Sequence, residues 1–257
     1  MNTARAWGIA RSLVIYYGQP WKRRRMDRLY RTFIAPGELC FDVGSHVGNR
    51  VASWRRLGAR VVAIEPQPDF LAILHRLFDA DEMVQILGIG LAERPGHLDL
   101  RISTAAPTVS TFSREWIESV GAHPKFSGVD WDRTVQVEVR TLDQLIAEHG
   151  VPAFCKIDVE GFEGAVLRGL TQPLPALSFE LLPMARGAGI ACVEHLMSLA
   201  PYRFRTSVQE TMRFTEPDWV DADALLRHIE ALPQNARSGD VYAATATRVA
   251  HLQAAER

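Results

Sequence analysis

The 257-residue sequence has few cysteines and almost no net charge, and these absences exclude several classes of protein. Its three cysteines, Cys40, Cys155 and Cys192, have no metal-ligand spacing, so we expect buried, reduced thiols of the kind found in cytosolic proteins. The formal net charge is −1, which provides no overall basic field, and we expect no nucleic-acid partner. No secretory signal is evident, so we expect a cytoplasmic protein.

Long hydrophobic runs are absent as well. The apolar run Leu13–Tyr17 is far too short to cross a bilayer, and the basic run Lys22–Arg25 follows it. Two interpretations are open. Residues 12–25 associate weakly with a membrane surface, or the basic run is simply the solvated face of a helix.

Short apolar runs that alternate with helical patterns make up most of the chain. This alternation predicts an α/β fold with a mostly parallel sheet and helices on both faces. Residues 1–35 are predicted to form an N-terminal helical extension of two helices, broken at Gly18-Gln19-Pro20, and residues 36–257 a single domain. No internal repeat is visible.

The predicted elements can be placed along the chain by their periodicity. The predicted strands are 39–43, 60–65, 84–89, 97–102, 134–139, 153–158, 176–180, 202–206 and 240–244. The strict alternation of 134–139 predicts an edge strand. The predicted helices in this domain are 49–57, 69–78, 165–170 and 190–199, with a further helix beginning at Thr141 as its cap.

Residues 103–133 are rich in Ser, Thr, Gly and Pro, and we expect a long connection with one short helix near 114–120. Connections this long are usually functional or mobile. The segment contains His123, Trp116 and Trp131. We therefore expect it to determine which substrate the site accepts.

A glycine-containing loop follows the first strand. Gly44 and Gly48 carry no Cβ, so the backbone can turn sharply and a ligand can come close, while the N–H groups of the next helix point back at that ligand. Acids close four predicted strands, at Asp42, Glu65, Asp158 and Glu180. Because ligands of open α/β sheets bind beyond the carboxyl ends of the strands, we expect an acidic crevice there.

Glu65 lies about twenty residues beyond the glycine loop, where an acid binds ribose hydroxyls in nucleotide-binding folds. The loop has the spacing G-x-x-x-G, however, not the dinucleotide pattern G-x-G-x-x-G. A carboxylate at Asp42 would repel a pyrophosphate but suits a sulfonium or ammonium group, which points to S-adenosylmethionine. A nicotinamide-dependent oxidoreductase and a non-catalytic donor-binding protein stay open as alternatives.

Four motifs carry a resemblance to a known family. They are Phe41-Asp42-Val43-Gly44-x-x-Val47-Gly48, Glu65-Pro66-x-Pro68-x-Phe70, Thr141-Leu142-Asp143, and Lys156-Ile157-Asp158-Val159-Glu160-Gly161-x-Glu163-x-x-Val166-Leu167-x-Gly169. Together they resemble the FkbM-type methyltransferases from about residue 36 to 180, with a looser match at 240–244. The sequence departs from the family at Ser45-His46, where the family usually has Ala-Asn.

The resemblance implies a class I methyltransferase fold, which is Rossmann-like with a seven-stranded sheet and a reversed last strand. It also implies S-adenosylmethionine as donor and O-methylation of a sugar or polyketide hydroxyl, hence a small-molecule or glycan acceptor. The residues implied for donor binding are Asp42, Gly44, Ser45, His46 and Gly48 in the loop, Glu65 on the ribose diol and Glu93 near adenine. His46 either reaches the donor or acceptor or caps the following helix.

O-Methylation also needs a general base for the hydroxyl proton. Asp158 and Glu160 are the first candidates, and Glu180 and His46 come next. Alternatively, Glu160 caps a helix or pairs with Lys156. Several acids together could hold a divalent cation, but the sequence has no dedicated ligand spacing, so we predict no metal site. A homo-oligomer also stays open.

Overall fold

The computed structural model describes residues 20–121 and 126–255. The first predicted N-terminal helix, most of the 12–25 segment and His123 lie outside the described residues. The strands, in chain order, are β1 (Leu39–Val43), β2 (Arg60–Ile64), β3 (Val84–Leu87), β4 (Gly90–Leu91), β5 (Gly96–Ile102), β6 (Arg133–Arg140), β7 (Phe154–Ile157), β8 (Ala176–Leu181), β9 (Tyr202–Val208) and β10 (Gly239–Thr245). The helices are α1 (Pro20–Arg31), α2 (Asn49–Arg56), α3 (Pro68–Phe78), α4 (Arg114–Val120), α5 (Leu142–His149), α6 (Glu163–Arg168), α7 (Arg186–Leu199), α8 (Ala222–Ala231) and α9 (Ala246–Ala255).

Seven strands form the central sheet in the order β3-β2-β1-β7-β8-β10-β9. β10 pairs antiparallel with both β8 and β9, and the other pairs are parallel. The sheet therefore has the reversed last strand that the resemblance implies. From β1 the chain runs outward through β2 and β3, and it later returns to β7 on the other side of β1. This change of direction places a ligand-binding crevice at the carboxyl ends of β1 and β7.

Helices cover both faces of this sheet, as the alternation of elements predicts. All five residues of β1 are buried, which is typical of a central parallel strand with a layer on each side. Two separate apolar clusters form these layers. One contains side chains of α1, α2, α3 and α9, and the other contains side chains of α5, α6, α7 and α8.

A second sheet has three strands in the order β4-β6-β5. The prediction of an edge strand at 134–139 is wrong in this respect, because β6 pairs with β5 on one side and with β4 on the other. The alternation of β6 instead reflects a strand that buries one face, at Val137 and Val139, and exposes the other. β4 is only two residues long, which is why its sequence shows no period.

The described parts of the segment 103–133, which are 103–121 and 126–133, contain regular structure. It contains a short 3₁₀ helix, Pro107–Val109, and α4. The side chain of Trp116 is 4% exposed and packs with Phe126 and Leu182 in a small core, while the indole N–H of Trp131 donates to the Val109 carbonyl at 2.9 Å. The indole of Trp116 thus fills this small core.

No helix within 20–121 or 126–255 combines the length and the apolar character that crossing a membrane requires.

Candidate functional site

An open pocket lies at the carboxyl ends of β1, β2 and β7, with about 680 Å³ of empty space that includes the solvent at its mouth. The floor comes from the predicted loops, and the segment between β5 and α4 forms the opposite wall. The lining residues are Gly44, His46, Arg50, Glu65, Pro66, Gln67, Phe70, Leu100, Pro107, Thr108, Ser110, Thr111, Phe112, Asp158, Val159 and Glu160.

The two glycines of the first loop are required by close approach. Gly44 has a φ of 82°, and a Cβ on it would lie 1.9 Å from the carbonyl oxygen of Asp158. Gly48 has a φ of 76°, and a Cβ on it would lie 2.5 Å from the ring of Phe78. Gly44 thus lets the β1 and β7 loops touch, whereas Gly48 lets α2 pack on α3. Of the two, only Gly44 lines the pocket.

Glu65 connects the glycine loop to the end of β2. Its carboxylate is buried and accepts hydrogen bonds from the backbone N–H of His46 at 2.7 Å and of Gln67 at 2.8 Å. Burial raises the pKa of Glu65 to about 7, although both hydrogen bonds favour the ionised form. A carboxylate has about four acceptor positions, so two remain for a ligand in the pocket.

Asp42 and Ser45 lie behind the pocket rather than in its wall. Asp42 is 1% exposed inside β1, and burial raises its pKa to about 6 against the opposing charges of Arg50 and Lys156. The Ser45 hydroxyl donates to the Asp42 carbonyl at 2.7 Å. This hydrogen bond ties the start of the loop to β1.

Glu93 lies apart from the pocket. Its carboxylate is 2.7 Å from the guanidinium of Arg168 in an ion pair whose two side chains are 42% and 53% exposed. Exposed pairs of this kind contribute little to stability. Glu93 is therefore left out of the site that we propose below.

His46 does line the pocket, in an unusual conformation. Its φ is 52°, and its ring centroid is 3.9 Å from that of Phe70. Burial lowers the pKa of His46 to about 3, so the imidazole is neutral near pH 7 and a weak base. The residue at the start of α2 is Gly48, so His46 is not the N-cap residue of that helix.

Asp158 follows β7 and meets two cations. Its carboxylate is 3.2 Å from Arg50 Nη2 and 3.3 Å from Lys156 Nζ. Burial alone would raise the pKa of Asp158, but the charges of Lys156 and Arg50 outweigh it and hold that pKa below its ordinary value. Lys156 is fully buried, and its Nζ also lies 2.9 Å from Asp240.

Glu160 is held in a sharp turn directly after Asp158. Its φ is 52° and that of Gly161 is 85°. The carboxylate of Glu163 accepts from the backbone N–H groups of Val159 and Gly161 at 3.0 and 3.3 Å, which fixes the turn. The residue at the start of α6 is Phe162, so Glu160 is not the N-cap residue of that helix.

Glu180 brings a third carboxylate to the same place from β8. Oxygen atoms of Asp158, Glu160 and Glu180 all lie within 4.8 Å of one another. Burial raises the pKa of Glu180 well above its usual value, and the nearby charges of Glu160 and Asp158 add to this. Such a group can share a proton or hold a hard divalent cation.

The sequence patterns did not indicate several residues of this site. Arg50, Gln67 and Phe112 line the pocket, and Glu210 reaches Arg50 at 3.9 Å from the loop after β9. Arg50 stands in the first turn of the helix after the glycine loop, which is a position that faces a ligand, so its place in the motif was a usable signal. Phe112 and Glu210 are far from the motifs in sequence, and no local pattern marks them.

The sequence is similar to known methyltransferases. A model of the methyltransferase FkbM domain matches residues 42–214. The hexuronic acid methyltransferase AglP of Haloferax volcanii is 28% identical over 166 residues, which cover 63% of this chain and 62% of that protein, so the match spans less than two thirds of its length.

Two solved structures resemble the fold. A precorrin-6y C5,15-methyltransferase from Geobacter metallireducens has 10% identity and a TM-score of 0.45 over 87% of each chain. A TehB-like SAM-dependent methyltransferase from Corynebacterium glutamicum has 9% identity and a TM-score of 0.43 over 86% of this chain and 87% of the other. The matched family region contains the glycine loop, Glu65 and the turn after β7, and it spans well over half of the sequence. The chain therefore belongs to the FkbM methyltransferase family and has the class I methyltransferase fold.

Proposed function

We propose that the chain is an S-adenosylmethionine-dependent O-methyltransferase that acts on a hydroxyl of a sugar or glycan. The observation that carries the proposal is a pocket lined by Glu65, Asp158 and Glu160, with the carboxylate of Glu180 next to the last two. The likeness to a hexuronic acid methyltransferase supports a sugar acceptor over a polyketide one.

The donor side fits S-adenosylmethionine by its chemistry. Glu65 is buried, held by two backbone N–H groups and still able to accept from a ribose diol. Gly44 lines the same pocket, where the rings of His46 and Phe70 form part of the wall. When bound, S-adenosylmethionine supplies a methyl group already activated by its sulfonium, so the protein mainly has to position the acceptor oxygen.

We assign removal of the acceptor proton to Glu160. It lines the pocket, whereas Glu180 stands just behind it. Burial raises the pKa of Glu180 and so favours its protonated form, while Glu160 can carry the negative charge that accepts the proton of the acceptor hydroxyl. Asp158 is held ionised by Arg50 and Lys156, which makes it a weaker base and suits it to positioning.

The experiment measures donor binding and turnover separately. Calorimetry should show binding of S-adenosylhomocysteine to the wild type, and turnover should be sought with phenyl glucuronide, other sugar glycosides and polyketide alcohols. Glu160→Gln should lower kcat by about 10²–10⁴-fold and leave the Kd of S-adenosylhomocysteine within about twofold. Equal loss of both would argue against a base at this position.

Controls separate the alternatives. Loss of turnover in EDTA, restored by Mg²⁺, would assign the three carboxylates to a cation instead of a shared proton. Binding of NADH without S-adenosylhomocysteine would favour an oxidoreductase. Donor binding without turnover on any acceptor would favour a non-catalytic donor-binding protein.

A further inference from the structure

The helix α1 carries a large share of the positive charge of the chain. Its twelve residues include six basic side chains and one acid, while the whole sequence has a net charge of −1. One side of α1 is buried against the sheet and α2 through Met26, Leu29 and Tyr30. The basic side chains on the exposed side are Arg23, Arg24, Arg25, Arg28 and Arg31.

Arg28 and Arg31 stand in the last turn of α1, where positive charge favours the helix, but the charges of the first turn oppose its stability. Lys22 and Arg23 stand in the first turn, at the positive end of the helix dipole, and that turn has no acid. Arg24 and Arg28 are four residues apart, where like charges repel. The acid of α1, Asp27, is occupied by Arg56 at 2.6 Å. The five exposed arginines nevertheless form a positively charged surface, which an external anionic partner would complement.

A bilayer explains the neighbouring aromatic residue as well. The side chain of Trp21 is 60% exposed at the start of the same helix. Tryptophan beside basic residues is typical of helices that lie on a membrane surface, where the ring enters the headgroup region. Because the net charge of the chain is −1, its surface away from α1 offers no excess of positive charge to a nucleic acid that extends beyond this helix. A flat membrane surface contacts only this one face.

The start of α1 lies close to the pocket. Burial raises the pKa of Glu210, and the positive charge of Lys22 acts to lower it. Glu210 in turn is 3.9 Å from Arg50, which lines the pocket. A surface bound by this end of α1 would therefore lie near the pocket.

We infer that α1 docks the protein on anionic phospholipid headgroups through Trp21 and its exposed arginines. Docking in this way brings the pocket to the membrane surface. A second step rests on the proposed function: the acceptor is a glycan that is carried on a lipid. The docking itself does not depend on that function, and its test needs no turnover.

The test is flotation of the full chain with vesicles. Vesicles of 70% phosphatidylcholine and 30% phosphatidylglycerol should carry the wild type, and pure phosphatidylcholine should not. Each arginine near an anionic surface contributes about fivefold in affinity, so the triple change of Arg23, Arg24 and Arg25 to Gln should weaken binding about a hundredfold. Trp21→Ala should weaken it several-fold, and added salt should reduce binding steeply.

A matched control removes three charges elsewhere. Arg60, Arg76 and Arg227 are exposed, and their change to Gln should leave vesicle binding within about twofold. An equal loss in this control would overturn the inference, because it would show a general charge effect. Binding of the wild type to a poly(U) 30-mer but not to vesicles would also overturn it. Unchanged S-adenosylhomocysteine affinity in the variants would show that they remain folded.

Discussion

At the scale of single residues, the site consists of carboxylates with different surroundings and therefore different chemistry. Asp158 contacts two cations, Glu65 accepts two backbone N–H groups, and Glu180 faces other acids. Only the first of these keeps a pKa below its ordinary value. Their surroundings thus separate charge-bearing positions from proton-bearing ones.

Glu65→Gln should weaken donor binding. An amide keeps one acceptor, but its NH₂ must then face the N–H of His46 or Gln67, so the loop loses a charge-assisted hydrogen bond. We expect the Kd of S-adenosylhomocysteine to rise about 10- to 100-fold by calorimetry. Glu93→Gln is the control and should change it less than about twofold, since Glu93 sits in an exposed ion pair. If both changes weakened binding equally, Glu93 would have to be counted among the donor-binding residues.

Lys156→Met should strongly destabilise the fold. The change keeps the length of the side chain but leaves Asp158 and Asp240 near one another without their shared buried cation. Removing one partner of a buried ion pair costs about 3–5 kcal/mol, which urea denaturation would measure. Adding Asp240→Asn should recover part of the loss. A single variant as stable as the wild type would show that the buried charges do not stabilise one another.

At the scale of elements, what matters is how closely the loops after β1 and β7 approach. Gly44→Ala would place a Cβ 1.9 Å from the Asp158 carbonyl at a φ of 82°, so the two loops must separate. We expect a loss of about 3 kcal/mol or more in the free energy of unfolding and weaker binding of S-adenosylhomocysteine. Gly37→Ala is the matched control, because Gly37 has a φ of 84° but nothing within 4 Å of its Cβ position. Its cost should be the backbone strain alone, about 1 kcal/mol. Equal losses would mean that the contact does not matter.

Helices and strands were predictable where the hydrophobic period lies within the segment itself. β1, β2 and α4 have apolar patterns that need no distant partner, and their bounds agree with the prediction within one residue. Two helices, α8 and α9, were not predicted. For α8 a signal existed, since Asp221 caps its first turn by accepting from Ala224 N–H at 2.9 Å. β4 was not predictable, because two residues carry no period.

At the scale of the whole molecule, the same distinction applies to the site. Acids near the ends of β1, β2, β7 and β8 mark the edge of the sheet, so the crevice followed from the sequence. The opposite wall, with Phe112, and the contact of Glu210 with Arg50 depend on how distant loops return to that edge. No pattern within these segments encodes their meeting, and only the folded chain shows it.

The stability of the whole chain should also depend on pH because of its buried carboxyls. Burial raises the pKa of Asp42 to about 6 and the pKa values of Glu65 and Glu163 to about 7. A carboxyl with a raised pKa binds more protons in the folded than in the unfolded chain. The folded state is therefore favoured at low pH and loses this advantage as the pH rises from about 4 to 7. His46 acts in the opposite direction, since burial lowers its pKa to about 3 and unfolding lets it take up a proton below about pH 6.5.

Burial raises the pKa values of Glu180 and Glu210 as well. Together these carboxyls outweigh one imidazole, so the free energy of unfolding of the ligand-free chain should fall by a few kcal/mol between about pH 5 and pH 7.5. Urea denaturation across this range would measure the slope. Asp42→Asn should reduce this slope by the contribution of one carboxyl, because the amide does not titrate. Asp99→Asn is the control and should leave the slope unchanged, because Asp99 lies on the exposed part of β5. A stability that rises over this range would mean that these carboxyls are ionised at little cost in the fold. The crevice would then be solvated rather than the buried site from which donor binding by Glu65 is argued.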